Sequence, residues 1–576
     1  EWVSAQADFT DSAVSSYSSG SAKLPSDITV GRFTFAQGTY VEGISSGLKV
    51  EYGNINTQKQ ENAIAFTLNG ADNKNAISFT AKGGSKGTVE LYKVGEDGAG
   101  DTLMFSQLVE AQVDISIGYN KTTDTAGTIS LPAGSYYIGS SDGSVRIGSF
   151  VIDEYVQSSD PAGIEVSGGQ TEFLVGDEFV STGLNVTLVY ENGRRESLTA
   201  ASYKLDSSKY IAGTSGTYTI TVSYTPAGAS AAFTDTYDVD VYAIDSLEVY
   251  DFVLGSGRVT QNLQKVFLKD SQFNYDNLAI QAVGKLDGSD KTHTFYLTDS
   301  DYTVTLDGDT STVGEKTVNI SVNSERGTAT ASYKINVVEN VFTQPKGTYT
   351  VNVNAAGTVA VSDGNVTFTC INDALKYLEI TGVPSSAAKV INVAAGDYFE
   401  KIEVSLPNVS IIGTGETADK VVIHYNAIAG ALDPSGKVGY STDGSATISI
   451  RESATGFYAE NITFQNDWNT NAEYEESKEL YSDTQAVAAL VQADMSKFIN
   501  VRFSSYHDTL YAMTGRQYYE NCYIEGRTDY VFGYNATAYF KNTTLMTIGS
   551  GDKKNGGYVV ATKGFDEGAD LSLIHI

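Results

Sequence analysis

The fold is decided by one phrase that occurs three times: Phe498-Ile-Asn-Val-Arg-Phe503, Tyr519-Glu-Asn-Cys-Tyr-Ile524 and Phe540-Lys-Asn-Thr-Thr-Leu545. In each copy an aromatic residue stands two positions before an Asn that opens a short strand rich in β-branched and aromatic residues. The three Asn are spaced 21 and 21 residues apart, and a fixed period of this length is typical of a solenoid. Because the segments have no helical period, we predict a parallel β-helix.

Polar residues with catalytic potential follow nearly the same period. Gln485 precedes Asp508 by 23 residues, and Asp508 precedes Asp529 by 21. Residues one coil apart lie on neighbouring strands about 4.8 Å apart, so the three side chains should line up on consecutive coils. Two carboxylates this close cannot both ionise easily, which leaves an ionised nucleophile or base beside a protonated acid. The Gln485 amide can donate hydrogen bonds to an oxyanion.

Five blocks resemble the signature sequences of pectin methylesterases, in the order and spacing of that family, within residues 345–570. They are Gly396-Asp-Tyr-Phe-Glu400, Gln485-Ala-Val-Ala488, His507-Asp-Thr-Leu-Tyr511, Gly515-Arg-Gln-Tyr-Tyr519 and Asp529-Tyr-Val-Phe-Gly533. The resemblance implies a right-handed parallel β-helix that hydrolyses methyl esters of homogalacturonan to pectate and methanol through an aspartyl acyl-enzyme. It also implies methyl-esterified pectin as the partner and a reaction without metal or organic cofactor.

The resemblance assigns a role to each matched polar residue. Asp529 matches the nucleophile, Asp508 the general acid and later base, and Gln485 a donor of the oxyanion hole. His507 stands where most of the family has a second Gln, and its ring N–H could still donate. Neighbours in a strict strand point to opposite faces, so His507 and Asp508 share the site only if the chain bends there.

The matched blocks also contain aromatic residues, and the end of the chain departs from the family. Tyr511 and Phe532 match aromatic side chains that line the sugar subsites. The family's last block, which supplies an Arg that holds the nucleophile and a Trp at a subsite, is absent, and residues 571–576 fit no coil phrase. We therefore expect a C-terminally truncated pectinesterase-like β-helix over residues 345–576, with weak or no activity.

Two alternative functions stay open. The paired Asp could belong to another β-helix pectinolytic enzyme, such as a polygalacturonase-like hydrolase with water between carboxylates about 6.5–9.5 Å apart if it is inverting. The chain could also be a non-catalytic polysaccharide-binding or adhesive cell-surface protein, because more than half of it precedes the β-helix.

The residues before the β-helix predict sandwich modules, which makes the fold class all-β. Residues 1–157 contain short alternating strands between turn-rich clusters, typical of a jelly-roll-like β-sandwich. Leu131-Pro-Ala-Gly-Ser-Tyr-Tyr-Ile138 resembles a late strand of jelly-roll modules in bacterial polysaccharide-degrading enzymes, so this module either binds wall polysaccharide or is a spacer. Residues 160–243 and 244–340 repeat one unit and predict two Ig-like β-sandwiches without chemistry, the first resembling bacterial Ig-like domains.

The β-helix region itself contains three segments that break the strand pattern. Phe368 to Leu378 predicts a short amphipathic helix that covers the open end of the β-helix. Residues 413–444 and 465–482 depart from the period and predict loops that flank the cleft.

Composition excludes several classes of partner. The chain has 70 Asp and Glu against 38 Lys and Arg, a formal charge of −32, which argues against nucleic acid. The sequence contains no run of 18 apolar residues, so we predict no membrane insertion. Two cysteines, Cys370 and Cys522, and four His without ligand spacing give no disulfide framework and no metal site. The composition favours a secreted bacterial protein, displayed at the cell surface, and we expect a monomer.

Overall fold

The structure is a computed structural model. It describes residues 2–7, 27–36, 48–50, 63–70, 73–83, 87–95, 100–142, 145–155, 160–362, 364–549 and 557–562. Strands dominate every part of the chain that it describes, so the predicted all-β class is confirmed. None of the helices found in these residues is long and apolar enough to cross a membrane.

The N-terminal module is an antiparallel β-sandwich of two sheets. Its strands are β1 (Trp2–Gln6), β2 (Ile28–Val30), β3 (Phe33–Phe35), β4 (Leu48–Val50), β5 (Ile64–Leu68), β6 (Asn75–Gly83), β7 (Gly87–Lys93), β8 (Thr102–Val109), β9 (Val113–Gly118), β10 (Gly134–Asp142) and β11 (Val145–Tyr155). One sheet has the order β1-β11-β6-β9 with β4 on β11, and the other the order β2-β3-β5-β10-β7-β8. Their inner faces meet in one apolar core.

The tyrosines of the predicted jelly-roll phrase belong to the interior of this module. Tyr136 stacks on Phe66 inside the core, and Tyr137 stacks on Tyr92 on the other face of the sheet. Both tyrosines are fully buried. These two residues therefore have a packing role.

Two Ig-like units follow, and they share a strand. The strands are β12 (Pro161–Gly168), β13 (Glu172–Leu174), β14 (Leu184–Tyr190), β15 (Arg195–Leu198), β16 (Lys204–Asp206), β17 (Gly216–Tyr224), β18 (Phe233–Tyr250), β19 (Phe252–Leu254), β20 (Thr260–Asn262), β21 (Val266–Leu268), β22 (Ala279–Lys285), β23 (Thr292–Tyr296), β24 (Thr303–Leu306), β25 (Gly314–Ser324) and β26 (Gly327–Val338). A 3-10 turn, Ser256–Arg258, lies between β19 and β20. The predicted boundary at residues 243 and 244 falls inside β18, which pairs with β17 in its first half and with β22 in its second.

The C-terminal domain is a parallel β-helix. Its elements are β27 (Thr348–Val353), β28 (Ala360–Ser362), β29 (Asn365–Phe368), α1 (Ile371–Ile380), β30 (Ala388–Val393), β31 (Gly396–Phe399), β32 (Ile402–Val404), β33 (Val409–Gly413), β34 (Val421–Tyr425), α2 (Ser441–Ser445), β35 (Ile448–Ile450), β36 (Tyr458–Asn466), α3 (Asn471–Leu480), β37 (Ala489–Val491), β38 (Ser496–Ser504), β39 (Leu510–Glu520), β40 (Tyr523–Gly526), β41 (Val531–Lys541), β42 (Thr544–Thr547) and β43 (Val560–Thr562). A 3-10 turn, Ala418–Lys420, precedes β34. One face stacks β32-β35-β37-β39-β41-β43 in parallel.

The repeated phrase builds the coils as its period predicts. Phe498 pairs with Tyr519, and Tyr519 pairs with Phe540, each one coil later. Their rings stack inside the solenoid at centroid distances of 4.8 and 4.7 Å. The Asn of each phrase has a positive φ (52°, 55° and 51°), a conformation that Asn adopts more cheaply than most residues, so it turns the chain between strands.

The non-repetitive segments are more structured than the sequence suggests. The predicted helix is α1, which begins three residues and ends two residues later than predicted because Phe368 ends β29. Its apolar face is buried in the solenoid core. Residues 413–444, expected to be a loop, contain β34 and the start of α2. Residues 465–482 contain α3, which begins with a capping box between Thr470 and Glu473.

The second Ig-like module packs directly against the β-helix, in a contact that we call the module interface. Phe252 and Leu254 of β19 form an apolar cluster with Ala427 and Tyr440 of the cleft-flanking segment. Val266 of β21 belongs to the same apolar core as the coils and α1. Part of the surface of this module is therefore core.

Candidate active site

Asp508 and Asp529 lie at equivalent corners of two adjacent coils. Leu510 pairs with Val531, which places the two Asp in register just before β39 and β41. Both have left-handed backbone, with φ of 61° and 50°, a conformation that Asp tolerates because its short side chain bonds locally. The Asp508 N–H donates to the Thr528 carbonyl of the next coil at 3.0 Å. The strand pairing therefore brings the two carboxylates to one point.

The two carboxylates differ in their surroundings, and this separates their pKa values. Burial raises the pKa of Asp508 well above its ordinary value, and the Asp529 charge raises it further. Burial also raises the pKa of Asp529, but this carboxylate is only partly buried. Asp508 is thus the group that keeps its proton, and Asp529 is the group that ionises first.

His507 joins the pair because the chain bends at the left-handed Asp508. Its Nε2 lies 3.4 Å from Asp508 Oδ1, and its Nδ1 lies 3.1 Å from the Thr484 hydroxyl. Burial lowers the pKa of His507 to about 4, so the imidazole is neutral near pH 7. A hydrogen bond with the Thr484 backbone opposes this lowering of the pKa, and Nε2 is the ring nitrogen that faces Asp508 and the site.

Gln485 lies on the preceding coil, two residues before the register position of Asp508. That position is occupied by Val487, because Ala489 pairs with Leu510. The strict alignment expected for Gln485 is therefore wrong by two residues. The coils pair at a step of 21 residues, whereas Gln485 and Asp508 are 23 residues apart. The Gln485 Oε1 is buried without a hydrogen-bond partner among the described residues, and its backbone carbonyl accepts from Ala429 N–H at 2.8 Å.

Tyr511 and Phe532 lie three residues after the two Asp and pair across adjacent strands. Their rings stack at 4.1 Å, and Tyr534 lies 5.7 Å from Tyr511. Tyr511 is buried whereas Phe532 is partly exposed. A ligand therefore meets Phe532 first, and Tyr511 supports it from below.

Sequence reasoning missed two polar contributors to the site. Thr484 contacts His507, and the signal that could have found it is its step of 23 residues to His507, the same as from Gln485 to Asp508. Asp443 of α2 is close enough to Tyr511 to raise its pKa, and burial raises the pKa of Asp443 itself. Asp443 lies in the segment that we expected to be a loop, where no period exists to place it.

One group of ligand-type side chains in the described part of the chain is compact enough to hold a metal ion. It consists of His507, Asp508 and Asp529, whose nearest ligand atoms all lie within 4.8 Å of one another. These are the residues of the carboxylate pair itself, and a protonated Asp508 is a poor metal ligand.

Comparison with known proteins assigns these residues to a family. Residues 357–570 match the model of the family described as Pectinesterase, and residues 169–241 match Bacterial Ig-like domain (group 3). The C-terminal domain is a pectinesterase-family domain. The first Ig-like module belongs to the bacterial Ig-like domains.

Curated relatives of this pectinesterase-family domain include proteins from fungi and plants. "Probable pectinesterase A" of Neosartorya fischeri is 36% identical over 167 residues, which are 29% of this chain and 47% of the relative. "Probable pectinesterase/pectinesterase inhibitor 36" of Arabidopsis thaliana is 32% identical over 209 residues, 36% of each chain. The chain thus spans half or less of the length of these relatives.

Among solved structures, "Pectin methylesterase PemA from Erwinia chrysanthemi" is similar to this chain. The two are 33% identical with a TM-score of 0.32, over 37% of this chain and 60% of that one.

Proposed function

We propose that the pectinesterase-family domain hydrolyses the methyl esters of methyl-esterified homogalacturonan, giving pectate and methanol. The observation that carries this proposal is the carboxylate pair: a buried, protonated Asp508 beside a more accessible Asp529 that ionises first. An ester hydrolase needs this combination of nucleophile and acid within reach of one carbonyl group.

The reaction follows from these positions in two halves. In the first, an Asp529 carboxylate oxygen attacks the ester carbonyl carbon, and the oxyanion accepts hydrogen bonds from donors at Gln485 and His507. Asp508 then gives its proton to the departing methoxide, so methanol leaves and an acyl-enzyme on Asp529 remains.

In the second half, the ionised Asp508 takes a proton from water, and the hydroxide attacks the same carbonyl carbon. The bond to Asp529 breaks, which restores its carboxylate, restores the Asp508 proton and releases the galacturonate acid. The net change is one ester and one water converted to one acid and one methanol.

The spacing of the carboxylates argues against the polygalacturonase-like alternative in its inverting form. That mechanism places water between carboxyl groups about 6.5–9.5 Å apart, whereas here the nearest ligand atoms of the pair lie within 4.8 Å. No observation favours a purely adhesive role for the β-helix.

The test measures methanol and new reducing ends from methylated pectin, at high enzyme concentration so that slow turnover is still detected. We expect methanol without chain shortening, abolished in Asp529→Asn and Asp508→Asn. Asp494→Asn is the matched control, since Asp494 is an exposed coil carboxylate paired with Arg516 at 2.6 Å. New reducing ends without methanol, or equal methanol from Asp529→Asn, would overturn the proposal.

The pH profile tests the division of roles between the two Asp. Turnover should rise as Asp529 ionises, above its ordinary range because its pKa is raised, and fall at higher pH when Asp508 loses its proton. A profile that keeps rising through alkaline pH would contradict the acid role of Asp508.

We also propose that the protein acts outside the cell, where its polymeric substrate lies, and that the N-terminal module binds wall polysaccharide. The large negative charge supports solubility in that setting. Cell fractionation of the source organism tests the location. Retention of the full chain on cellulose or xylan tests polysaccharide binding by the N-terminal module, and retention of Asp529→Asn on pectin is the reference. Retention only on pectin would leave the N-terminal module as a spacer.

A further inference from the structure

The module interface carries two tyrosines that the proposed mechanism does not use. Tyr296, at the end of β23 in the second Ig-like module, is 47% exposed, and its ring lies so close to Gly436 that a Cβ there would not fit. Tyr481 follows α3 in the β-helix domain, and its side chain lies against Gly430 of the same cleft-flanking segment. Burial raises the pKa of Tyr481 and Tyr296 adds to that rise, which places the two phenols near each other.

The segment between the two tyrosines is fixed from both domains. From the Ig-like side, Leu254 N–H donates to the buried Asp433 carboxylate at 2.9 Å, and the Gln281 side-chain amide donates to the Pro434 carbonyl at 3.0 Å. From the β-helix side, Gly430 N–H donates to the Asp483 carbonyl at 2.9 Å. These hydrogen bonds hold the segment between Tyr296 and Tyr481 in one position.

This tyrosine pair is continuous with the candidate active site. Tyr481 and Gln485 are four residues apart, and four residues of extended chain span at most about 14 Å. Trp468 lies beside Tyr481 with ring centroids 6.5 Å apart, and its carbonyl accepts from Tyr506 N–H at 3.1 Å, next to His507. Partly exposed aromatic rings thus run from the module interface to the coil of Asp508.

The charge around this row of rings selects against an anionic ligand. Glu476 is close enough to Tyr481 to raise its pKa. The acidic residues of segments 430–440 and 471–483 are Asp433, Glu473, Glu475, Glu476, Glu479 and Asp483. The basic residues of the same segments are Lys478, which is paired with Glu475 at 2.7 Å, and the exposed Lys437. A galacturonate with a free carboxylate would be repelled here, whereas its methyl ester carries no charge.

We propose that Tyr296 and Tyr481 form a sugar subsite for an uncharged, methyl-esterified stretch of the substrate chain. The second Ig-like module is then a wall of the substrate cleft. Aromatic rings offer a flat apolar face with a polar tip, which suits the face of a sugar ring. This proposal rests on the proposed function and deepens it, because it names the methylation state bound away from the reacting ester.

The first experiment compares Tyr296→Ala with the wild-type chain on long and short substrates. For long, highly methylated pectin we expect KM to rise about three- to tenfold with kcat unchanged, since a remote contact adds uniform binding. For a short methylated oligomer that cannot reach the interface, KM should not change. Tyr296→Trp, which keeps an aromatic face, should restore most of the loss.

The matched control is Tyr275→Ala, which removes a 40% exposed tyrosine of the same module whose ring packs on Phe273. It should leave KM unchanged on both substrates. An unchanged KM in Tyr296→Ala on long pectin would overturn the subsite. An equal rise on long and short substrates would also overturn it, because displacement of the 430–436 segment would then be the cause.

The second experiment measures binding without turnover, by calorimetry with Asp529→Asn and oligogalacturonates of equal length. We expect tighter binding of the methylated oligomer, with the preference reduced by the added Tyr296→Ala. Equal binding of the de-esterified oligomer would overturn the charge selection. If the wild-type chain releases no methanol while this preference is found, the proposed function fails and the subsite stands.

Discussion

The two Ig-like modules share strand β18 but differ in how they meet the rest of the molecule. The clusters of the first, one with Phe173 and Ile220 and one with Val186 and Leu188, include no β-helix residue among the described residues. Leu174 of this module packs with Ala282 of the second module. The second contributes Val266 to the core of the β-helix. Modules with the same strand pattern can thus differ in whether they pack into the β-helix core, and the side chains at the module interface decide which.

The largest difference is expected from truncation of one buried Phe in each module. Phe252→Ala, at the module interface, should lower the free energy of unfolding of the β-helix by about 3–5 kcal/mol and reduce methanol release. Phe173→Ala should cost a similar amount, because both side chains are almost fully buried. This loss of stability should be confined to the first module.

Tryptophan fluorescence distinguishes the two outcomes. In a Trp2→Phe background Trp468 is the sole tryptophan and reports on the β-helix near the site. Urea unfolding followed at Trp468 should shift in Phe252→Ala and not in Phe173→Ala. Equal shifts would mean that the two modules are coupled to the β-helix alike.

A smaller effect, pH dependent, is expected where α1 joins the module interface. Burial raises the pKa of Glu400 to about 7, although its carboxylate accepts hydrogen bonds from Ile371 and Asn372 N–H at 2.8 Å each. From pH 4.5 to 7 the unfolded chain loses this proton while the folded chain keeps it. Stability therefore falls as pH rises through that window, by on the order of 3 kcal/mol for this group.

Glu400→Gln removes this contribution. Between pH 4 and pH 8 the unfolding free energy of the wild type should therefore fall, relative to that of the variant, by on the order of 3 kcal/mol. At pH 4 both states of the wild type are protonated at Glu400, which supplies the internal control. A difference that does not change with pH would show that Glu400 ionises normally in the folded protein.

The next effect compares two carboxylates, one that accepts a backbone N–H of the second module and one that accepts a backbone N–H of the first. Asp433 is buried and accepts from Leu254 N–H, Ser435 Oγ and Val438 N–H. Asp433→Asn should cost about 1.5–3 kcal/mol and lower methanol release about tenfold, because the segment that holds Gln485 moves. Asp235→Asn, the control, replaces the carboxylate that accepts from Val166 N–H in the first module and should leave turnover unchanged.

The smallest effect should be the same in both modules, away from the module interface. Arg195–Glu165 and Lys334–Glu315 are exposed ion pairs, in the first and second modules respectively. Arg195→Ala and Lys334→Ala should each change stability by less than about 1 kcal/mol and leave methanol release unchanged. A kinetic effect of Lys334→Ala would extend the catalytic unit beyond the interface described above.

Sequence periodicity predicts the parts of the molecule that repeat. The 21-residue step of Phe498, Tyr519 and Phe540 is a local signal of strand stacking, and it places Asp508 beside Asp529 without knowledge of any other contact. The family resemblance adds the roles, which a step length alone does not supply.

Contacts between distant segments leave no such signal. Nothing periodic relates Phe252 to Tyr440, so the module interface appears only in three dimensions. The 23-residue step from Thr484 to His507 places them on adjacent coils, but it does not supply the orientation of the imidazole. Alternation also does not predict that both Tyr136 and Tyr137 are buried. Neighbours on a strand face opposite sides of the sheet, and here both sides are covered.

The left-handed backbone at Asp508 and Asp529 limits which residues evolution can place there. Asn, Asp and Gly adopt this conformation at low cost, and the corners at Asn500, Asn521 and Asn542 obey the same restriction. Exchanging a corner amide for a carboxylate on two successive coils turns a structural ladder into a reactive pair without moving the main chain. The reverse exchange suits the same backbone, so a repeat array of this kind can lose its reactive pair in one or two conservative steps.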